Sequence, residues 1–232
     1  MQSGVPRKEI FLATKLSEEH DFGTKKAVRR LERQLKFLNT SYVDVYMLHS
    51  PSDHSRKQTL AAWRGLEQIL ATGKARAIGV SNFQEKELKW LIKRAQSPPT
   101  YIQNKLSPYY HGGEETARSL PKLLQKRGIR LVGYSVINPW PGLLNPLQDP
   151  TVLAVAERHQ ASGVTPAQIL HRWALQIGAA IIPKASSNDR IKENSRLFHF
   201  VLTNEEMALL SGLAYLAHKP PSAHHSARTT EL

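Results

Sequence analysis

Short apolar runs rich in β-branched residues alternate along this chain with longer stretches in which apolar residues recur at helical spacing. This alternation predicts βα units, and therefore a parallel sheet covered by helices. Six runs are predicted as strands, over residues 10–15, 43–49, 75–81, 101–104, 129–134 and 179–183.

The stretches between the strand runs predict helices with one apolar face each. Thr165 is expected to cap one of them, with Pro166 in its first turn. Further helices are predicted near Asn188 and over 203–213. The apolar faces consist of Val28, Leu31, Leu35 and Leu38; Leu60, Trp63 and Leu70; Leu88, Leu91 and Ile92; Leu120, Leu123 and Leu124; and Ile169, Leu170, Trp173 and Ile177.

No repeat and no linker-like composition divides the chain, so one domain is predicted over residues 1–217. The polar stretch 218–232, with two prolines and three histidines, is predicted to be a disordered tail. Its histidines leave metal binding open, but a solvated terminus is favoured. We expect no metal site elsewhere.

Composition narrows the class of protein. With 41% hydrophobic and 22% charged residues, the chain of 232 residues has ordinary globular usage. The absence of cysteine excludes disulfides, thiolate metal sites and cysteine nucleophiles. No stretch resembles a signal peptide or a membrane span, which predicts a cytoplasmic protein. The net charge is +13, but the basic residues are spread along helices, which disfavours nucleic acid as a partner.

Polar residues stand at the end of every predicted strand, where parallel βα folds place their functional sites. Alternation along the strands puts Lys15 on the side of Phe11 and Ala13, and His49 on the side of Met47, whereas Tyr46 should face the helices. Taken singly, such a lysine is more often a surface residue, and such a histidine is more often a hydrogen-bonded residue of the core. Six polar ends together favour a functional site. They are Lys15, His49-Ser50-Pro51, Ser81-Asn82-Phe83, Gln103-Asn104, Tyr134-Ser135 and Pro183-Lys184.

The segment 182–194 joins a strand end, a hydroxyl-rich loop and a helix start, an arrangement suited to an anion. Lys184 offers a compact charge and Arg190 a planar fork that fits a phosphate. An ordinary helix cap with surface charges explains the same residues. The chain has neither a GxGxxG loop nor a Walker A sequence, which disfavours a Rossmann or P-loop nucleotide site.

Four strings, in this order, resemble the aldo-keto reductases, which are (β/α)8 TIM barrels that reduce carbonyls with NADPH. They are FLATK (11–15), YVDVYMLHSP (42–51), GKARAIGVSNF (73–83) and the run 183–194. The resemblance extends from about residue 3 to residue 213.

The resemblance implies roles for twelve residues. Lys15 and His49 are similar to the family's catalytic lysine and to the histidine that orients the substrate carbonyl. Within the cofactor site, it implies that Ser81, Asn82 and Gln103 hold the nicotinamide carboxamide, that Tyr134 stacks on its ring and that Ser135 lies beside it. The implied clamp around the adenosine 2'-phosphate and adenine favours NADPH over NADH, and consists of Lys184, Ser187, Arg190, Glu193 and Asn194.

The sequence departs from the family pattern in three places. Ala185-Ser186, after the clamp lysine, and 136–138, after Tyr134-Ser135, differ from the usual residues. The largest departure is at the front, because Lys15 resembles a residue of the family's third strand. Two βα units that carry an aspartate and a tyrosine precede that strand in the family. We therefore expect an incomplete barrel of about six strands.

In the family, a tyrosine hydroxyl protonates the carbonyl oxygen while hydride reaches the carbon, and the lysine and aspartate tune that tyrosine. The resemblance assigns no residue of this sequence to two of these four roles, those of the tyrosine and the aspartate. Weak or no reductase activity is therefore expected for this chain alone. Three interpretations stay open. They are an NADPH-dependent reductase of a small-molecule aldehyde or ketone, a catalytically silent NADPH-binding or regulatory subunit, and a fragment without function.

Overall fold

All six predicted strands are present in a computed structural model, which describes residues 4–110, 119–137 and 145–217. They form one parallel sheet in the order β1-β2-β3-β4-β5-β6. The predicted starts and ends differ most at β1 and β6, which are shorter than their apolar runs. The strands are β1 (Ala13–Leu16), β2 (Val43–Leu48), β3 (Ala75–Ser81), β4 (Tyr101–Lys105), β5 (Arg130–Tyr134) and β6 (Ala180–Ile181).

Neighbouring strands pair in chain order, as expected for successive βα units. Within the described residues, β1 and β6 each pair on one side only, so the sheet is not closed. This confirms the prediction of a parallel α/β sheet with six strands that does not form a complete barrel. At the β1 edge, Gln34 Nε2 donates a hydrogen bond to the carbonyl of Lys15 (3.0 Å).

Eight α-helices accompany the strands in the described part of the chain, and all but one were predicted. The exception is α5, which begins at Pro150 after Asp149, whose carboxylate accepts hydrogen bonds from the Thr151 and Val152 N–H groups. The predicted cap of α6 is confirmed, because the Thr165 hydroxyl accepts from Gln168 N. The helices are α1 (Thr24–Phe37), α2 (Arg56–Ala71), α3 (Glu85–Ile92), α4 (Ser119–Arg127), α5 (Pro150–Arg158), α6 (Pro166–Gln176), α7 (Asn188–Ser195) and α8 (Asn204–Ala217).

The described residues fold into two compact units. Unit 1 contains the sheet and α1 to α4, and unit 2 contains α5 to α8. The prediction of one domain over 1–217 stays a prediction, and the tail 218–232 lies outside the described residues. No described helix combines the length and apolar character needed to cross a membrane. By residue, unit 1 consists of 4–105, 119–134 and 178–182, and unit 2 of 106–110, 135–137, 145–177 and 183–217.

The core of unit 1 lies between the sheet and its helices. Tyr46 and Leu48 of β2 are fully buried there, in one apolar cluster with Leu31 of α1 and Trp63 of α2. Tyr46 therefore faces the helices, as the alternation along β2 predicted. Met47 lies on the opposite side of β2, and His49 follows directly after the end of this strand.

A buried carboxylate ties the first described residues of unit 1 to its sheet. Asp44, 7% exposed, accepts hydrogen bonds from Arg7 Nη2 (2.9 Å), Arg76 Nη1 (3.1 Å) and the Leu12 N–H (2.9 Å). Both guanidinium groups also lie about 4 Å from the ring of Tyr42. Burial alone would raise the pKa of Asp44, but these donors outweigh it and hold the pKa below its usual value.

We expect Asp44→Asn to lower the free energy of unfolding at pH 7 by about 3 kcal/mol, because two guanidinium groups lose their buried partner. The folded-state pKa of Asp44 lies below the unfolded value of about 3.9. This stabilisation is therefore fully present above the unfolded pKa and is lost as pH falls through the folded one. Urea unfolding at pH 7 and at acidic pH measures both effects.

The exposed Asp53 provides a matched control, since Asp53→Asn should change the stability by less than about 0.5 kcal/mol. Equal stabilities of the two variants would show that the Asp44 contacts contribute nothing net.

Candidate functional site

The ends of β3 and β4 bring three of the predicted site residues into direct contact. Ser81 lies in register with Gln103, and its hydroxyl donates a hydrogen bond to the Gln103 carbonyl (2.7 Å). The Asn82 N–H donates to the same carbonyl (3.1 Å). Gln103 is 6% exposed as a whole residue, and no described residue hydrogen-bonds to its amide. The Gln103 amide can both donate and accept hydrogen bonds.

Asn82 links the ends of four strands through its backbone and its side chain. Its Nδ2 donates to the carbonyl of His49, after β2 (2.8 Å), and its Oδ1 accepts from the hydroxyl of Tyr134, at the end of β5 (2.7 Å). Its φ of 59° is left-handed, a conformation that asparagine tolerates better than most residues. The orientation of the Tyr134 side chain is therefore fixed by a residue that the sheet itself holds in place.

Lys15 and His49 are the two predicted catalytic residues at this end of the sheet. Partial burial lowers the pKa of Lys15, and among the described residues no carboxylate pairs with its ammonium group. Desolvation of the imidazole and then the charge of Lys15 lower the pKa of His49, against an opposing contribution from Glu18. The net effect favours the neutral imidazole, which has one nitrogen able to donate and one able to accept.

Two polar residues near this site were missed by the sequence analysis. Ser17 shares a hydrogen bond with Nδ1 of His49 (3.1 Å). Lys105 ends β4 in register with Tyr134, and burial lowers its pKa. Each stands two positions after a predicted site residue, Lys15 or Gln103, so the period of two along a strand could have found both.

The second group of predicted residues lies in unit 2, on and before helix α7. The Ser187 hydroxyl caps this helix by accepting a hydrogen bond from the Arg190 N–H (3.4 Å). Lys184 and Arg190 are exposed, and in the described part of the chain neither side chain forms an ion pair. A capped helix start with two available cations is chemically suited to a phosphate.

Glu193 and Asn194 occupy the last turns of α7, and both are partly buried. The Glu193 carboxylate accepts a hydrogen bond from the Thr165 hydroxyl (2.5 Å). The last predicted residue, Ser135, follows Tyr134 and has a left-handed φ of 57°. Of the segment after it, Val136 is buried, and Asn138 lies outside the described residues.

In the comparison with known proteins, the matching family model and the matching relatives indicate one family. The model of the aldo/keto reductase family matches residues 1–214. The chain is 37% identical to an aldo-keto reductase of Mycolicibacterium vanbaalenii and 36% identical to glyoxal reductase of Bacillus subtilis. Each of these alignments covers 91% of this chain and 71% of the relative. Morphine 6-dehydrogenase of Pseudomonas putida is 35% identical with the same coverage.

Solved structures from the same family also match this chain. An aldo/keto reductase from Brucella melitensis matches with a TM-score of 0.80 and 33% identity, covering 91% of this chain and 76% of that one. A variant of Gox0644 in complex with NADPH matches with a TM-score of 0.79 and 29% identity, covering 89% and 71%.

Proposed function

The chain belongs to the aldo/keto reductase family, and on that premise we propose that it binds NADPH and reduces a small aldehyde or ketone to an alcohol. The observation that carries the proposal is the hydrogen-bonded group formed by Ser81, Asn82, Gln103 and Tyr134 at the strand ends. Relatives named as reductases and a structural neighbour in complex with NADPH support it.

The nicotinamide end of the cofactor is assigned to this group in unit 1. A carboxamide both donates and accepts hydrogen bonds, and the Gln103 amide can do the same, so the two groups suit each other. The Tyr134 ring, held by Asn82, offers a flat face on which a nicotinamide ring can stack. When bound, NADPH supplies the hydride for the carbonyl carbon.

The adenosine end is assigned to Lys184, Ser187, Arg190, Glu193 and Asn194 in unit 2. The guanidinium fork of Arg190 and the ammonium group of Lys184 suit a 2'-phosphate, which NADPH carries and NADH lacks. The carboxylate of Glu193 accepts hydrogen bonds and therefore suits the amino group of adenine. We accordingly propose a preference for NADPH.

His49 and Lys15 are assigned to the carbonyl substrate. The neutral His49 imidazole can donate a hydrogen bond to the carbonyl oxygen and so orient it. The positive charge of Lys15 favours negative charge on the same oxygen as reduction proceeds.

A second candidate function is a catalytically silent NADPH-binding subunit. It is favoured because two of the described tyrosines are poorly suited to protonate the oxygen. Tyr46 is fully buried on the helix side of the sheet, and burial raises the pKa of its hydroxyl. The Tyr109 hydroxyl donates to Asp149 (2.6 Å). Loss of general acid catalysis lowers rates by about 10²- to 10⁴-fold, so we propose weak activity for this chain alone.

Fluorescence titration of the purified chain with NADPH and with NADH tests the proposal. We expect the Kd for NADPH to be at least about tenfold lower than the Kd for NADH. One charge-assisted contact to the 2'-phosphate contributes about a tenfold difference in affinity. NADPH oxidation with glyoxal then separates the candidates, since turnover supports a reductase and binding without turnover supports the silent subunit. Failure to bind NADPH would overturn both.

A further inference from the structure

Helix α7, which carries three of the five residues of the proposed adenosine site, has no buried residue. Its one large apolar side chain, Ile191, is 55% exposed. Amphipathic helices are normally held by an apolar face packed on the core. The position of α7 must therefore depend on polar contacts.

Those contacts come from helix α6 and its cap. Gln168, 4% exposed, donates hydrogen bonds through Nε2 to the carbonyls of Glu193 (3.1 Å) and Arg196 (2.9 Å). Its Oε1 accepts from the Thr165 N–H (3.0 Å), which fixes the direction of the amide. The Thr165 hydroxyl in turn donates to the Glu193 carboxylate (2.5 Å). Thr165 and Gln168 thus hold both the backbone and the side chain of Glu193.

Side chains on the same face of α6 also form hydrogen bonds to the backbone of the irregular segment that follows α7. Arg172 Nη1 donates to the carbonyl of Leu197 (3.0 Å). Gln176 donates through Nε2 to the carbonyl of Leu202 (2.9 Å) and accepts from the Leu202 N–H (2.8 Å). Residues 168, 172 and 176 are spaced four apart, so one helical face holds the whole segment by its backbone.

We propose that Gln168 and Thr165 are positioning residues for cofactor binding, which set the place of α7 and aim the Glu193 carboxylate at the adenine. This inference rests on the proposed function. A site held in its binding conformation loses less entropy when the ligand binds, so loosening α7 should weaken binding without removing any group that touches the cofactor.

Gln168→Met and Gln176→Met form a matched pair for the test. Both replace a glutamine of α6 that bonds to the backbone of the same segment, but only Gln168 bonds to α7. We expect Gln168→Met to raise the Kd for 2',5'-ADP about tenfold by calorimetry, a loss equivalent to one hydrogen bond. Gln176→Met should leave it within about twofold. Hydrogen exchange of the amides of residues 189–196 should accelerate in the first variant only.

The outcomes separate the inference from the function on which it rests. If the wild type binds neither 2',5'-ADP nor NADPH, the proposed function is overturned and the inference with it. If the wild type binds and the two variants bind equally well, only the inference is overturned.

A second pair of variants guards against misfolding of Gln168→Met. Thr165→Ser retains the hydroxyl and should bind 2',5'-ADP as the wild type does, whereas Thr165→Val should bind more weakly. Equal binding by the serine and valine variants would contradict a role for the Thr165 hydroxyl in aiming Glu193.

Discussion

Replacing Arg190 with alanine is expected to raise the Kd for NADPH about 100-fold, while the Kd for NADH changes by less than about threefold. A bidentate contact between a guanidinium group and a phosphate comprises two charge-assisted hydrogen bonds, and NADH has no 2'-phosphate to receive them. Arg190 has no described ion-pair partner, so the alanine variant leaves no buried charge behind. The same fluorescence titration with both cofactors measures the change.

Lys192→Ala is the matched control for this prediction. Lys192 lies on the same helix, is exposed and carries the same charge, but two positions along α7 it points about 200° away. We expect its Kd for NADPH to stay within about threefold of the wild type at physiological salt. If both variants lose affinity equally, the phosphate is recognised by the general positive charge of the helix and Arg190 has no specific role.

The second large effect is expected from Gly79→Ala in β3. A Cβ atom at this position would lie 2.6 Å from the backbone oxygen of Tyr101 and 3.0 Å from Cγ of Met47. The backbone of a paired strand cannot move aside cheaply, so we expect a loss of about 3 kcal/mol in the free energy of unfolding. Because Ser81 follows two residues later, separation of β3 from β4 should also disturb its hydrogen bond to Gln103 and weaken NADPH binding.

Gly212→Ala in α8 provides the control, since none of the described atoms lies within 4 Å of the Cβ that it would add. We expect this change to stabilise the protein by about 1 kcal/mol, the usual helix preference of alanine over glycine. Urea unfolding compares the two variants. A Gly79→Ala variant as stable as the wild type would mean that β3 and β4 are less closely apposed than the structure describes.

The sequence predicted the sheet well because each strand is a short apolar run and each helix repeats its apolar positions. Helix α5 was missed, although Asp149-Pro150 is a typical helix start, because its buried residues Val152 and Val155 are few. The end of β6 was placed too late, since pairing with β5 stops at Ile181 whereas the apolar run continues.

The candidate site was only partly predictable. The resemblance supplied residue types, and strand alternation supplied the side on which they lie. Neither indicates that the Asn82 side chain joins His49 to Tyr134, because such contacts depend on the register between strands distant in sequence. The hydrogen bond between Thr165 and Glu193 spans 28 positions and has no local signal.

The two edges of the sheet bear on how this protein behaves at high concentration. Unpaired strand edges can template growth by addition of strands from other molecules. Here the β6 edge is two residues long and therefore offers few backbone groups with which an added strand could pair. The β1 edge is four residues long. At β1 the side chain of Gln34 already occupies the carbonyl of Lys15, so an incoming strand would first have to displace it. Fibrillar self-assembly through these edges is therefore disfavoured by the native state.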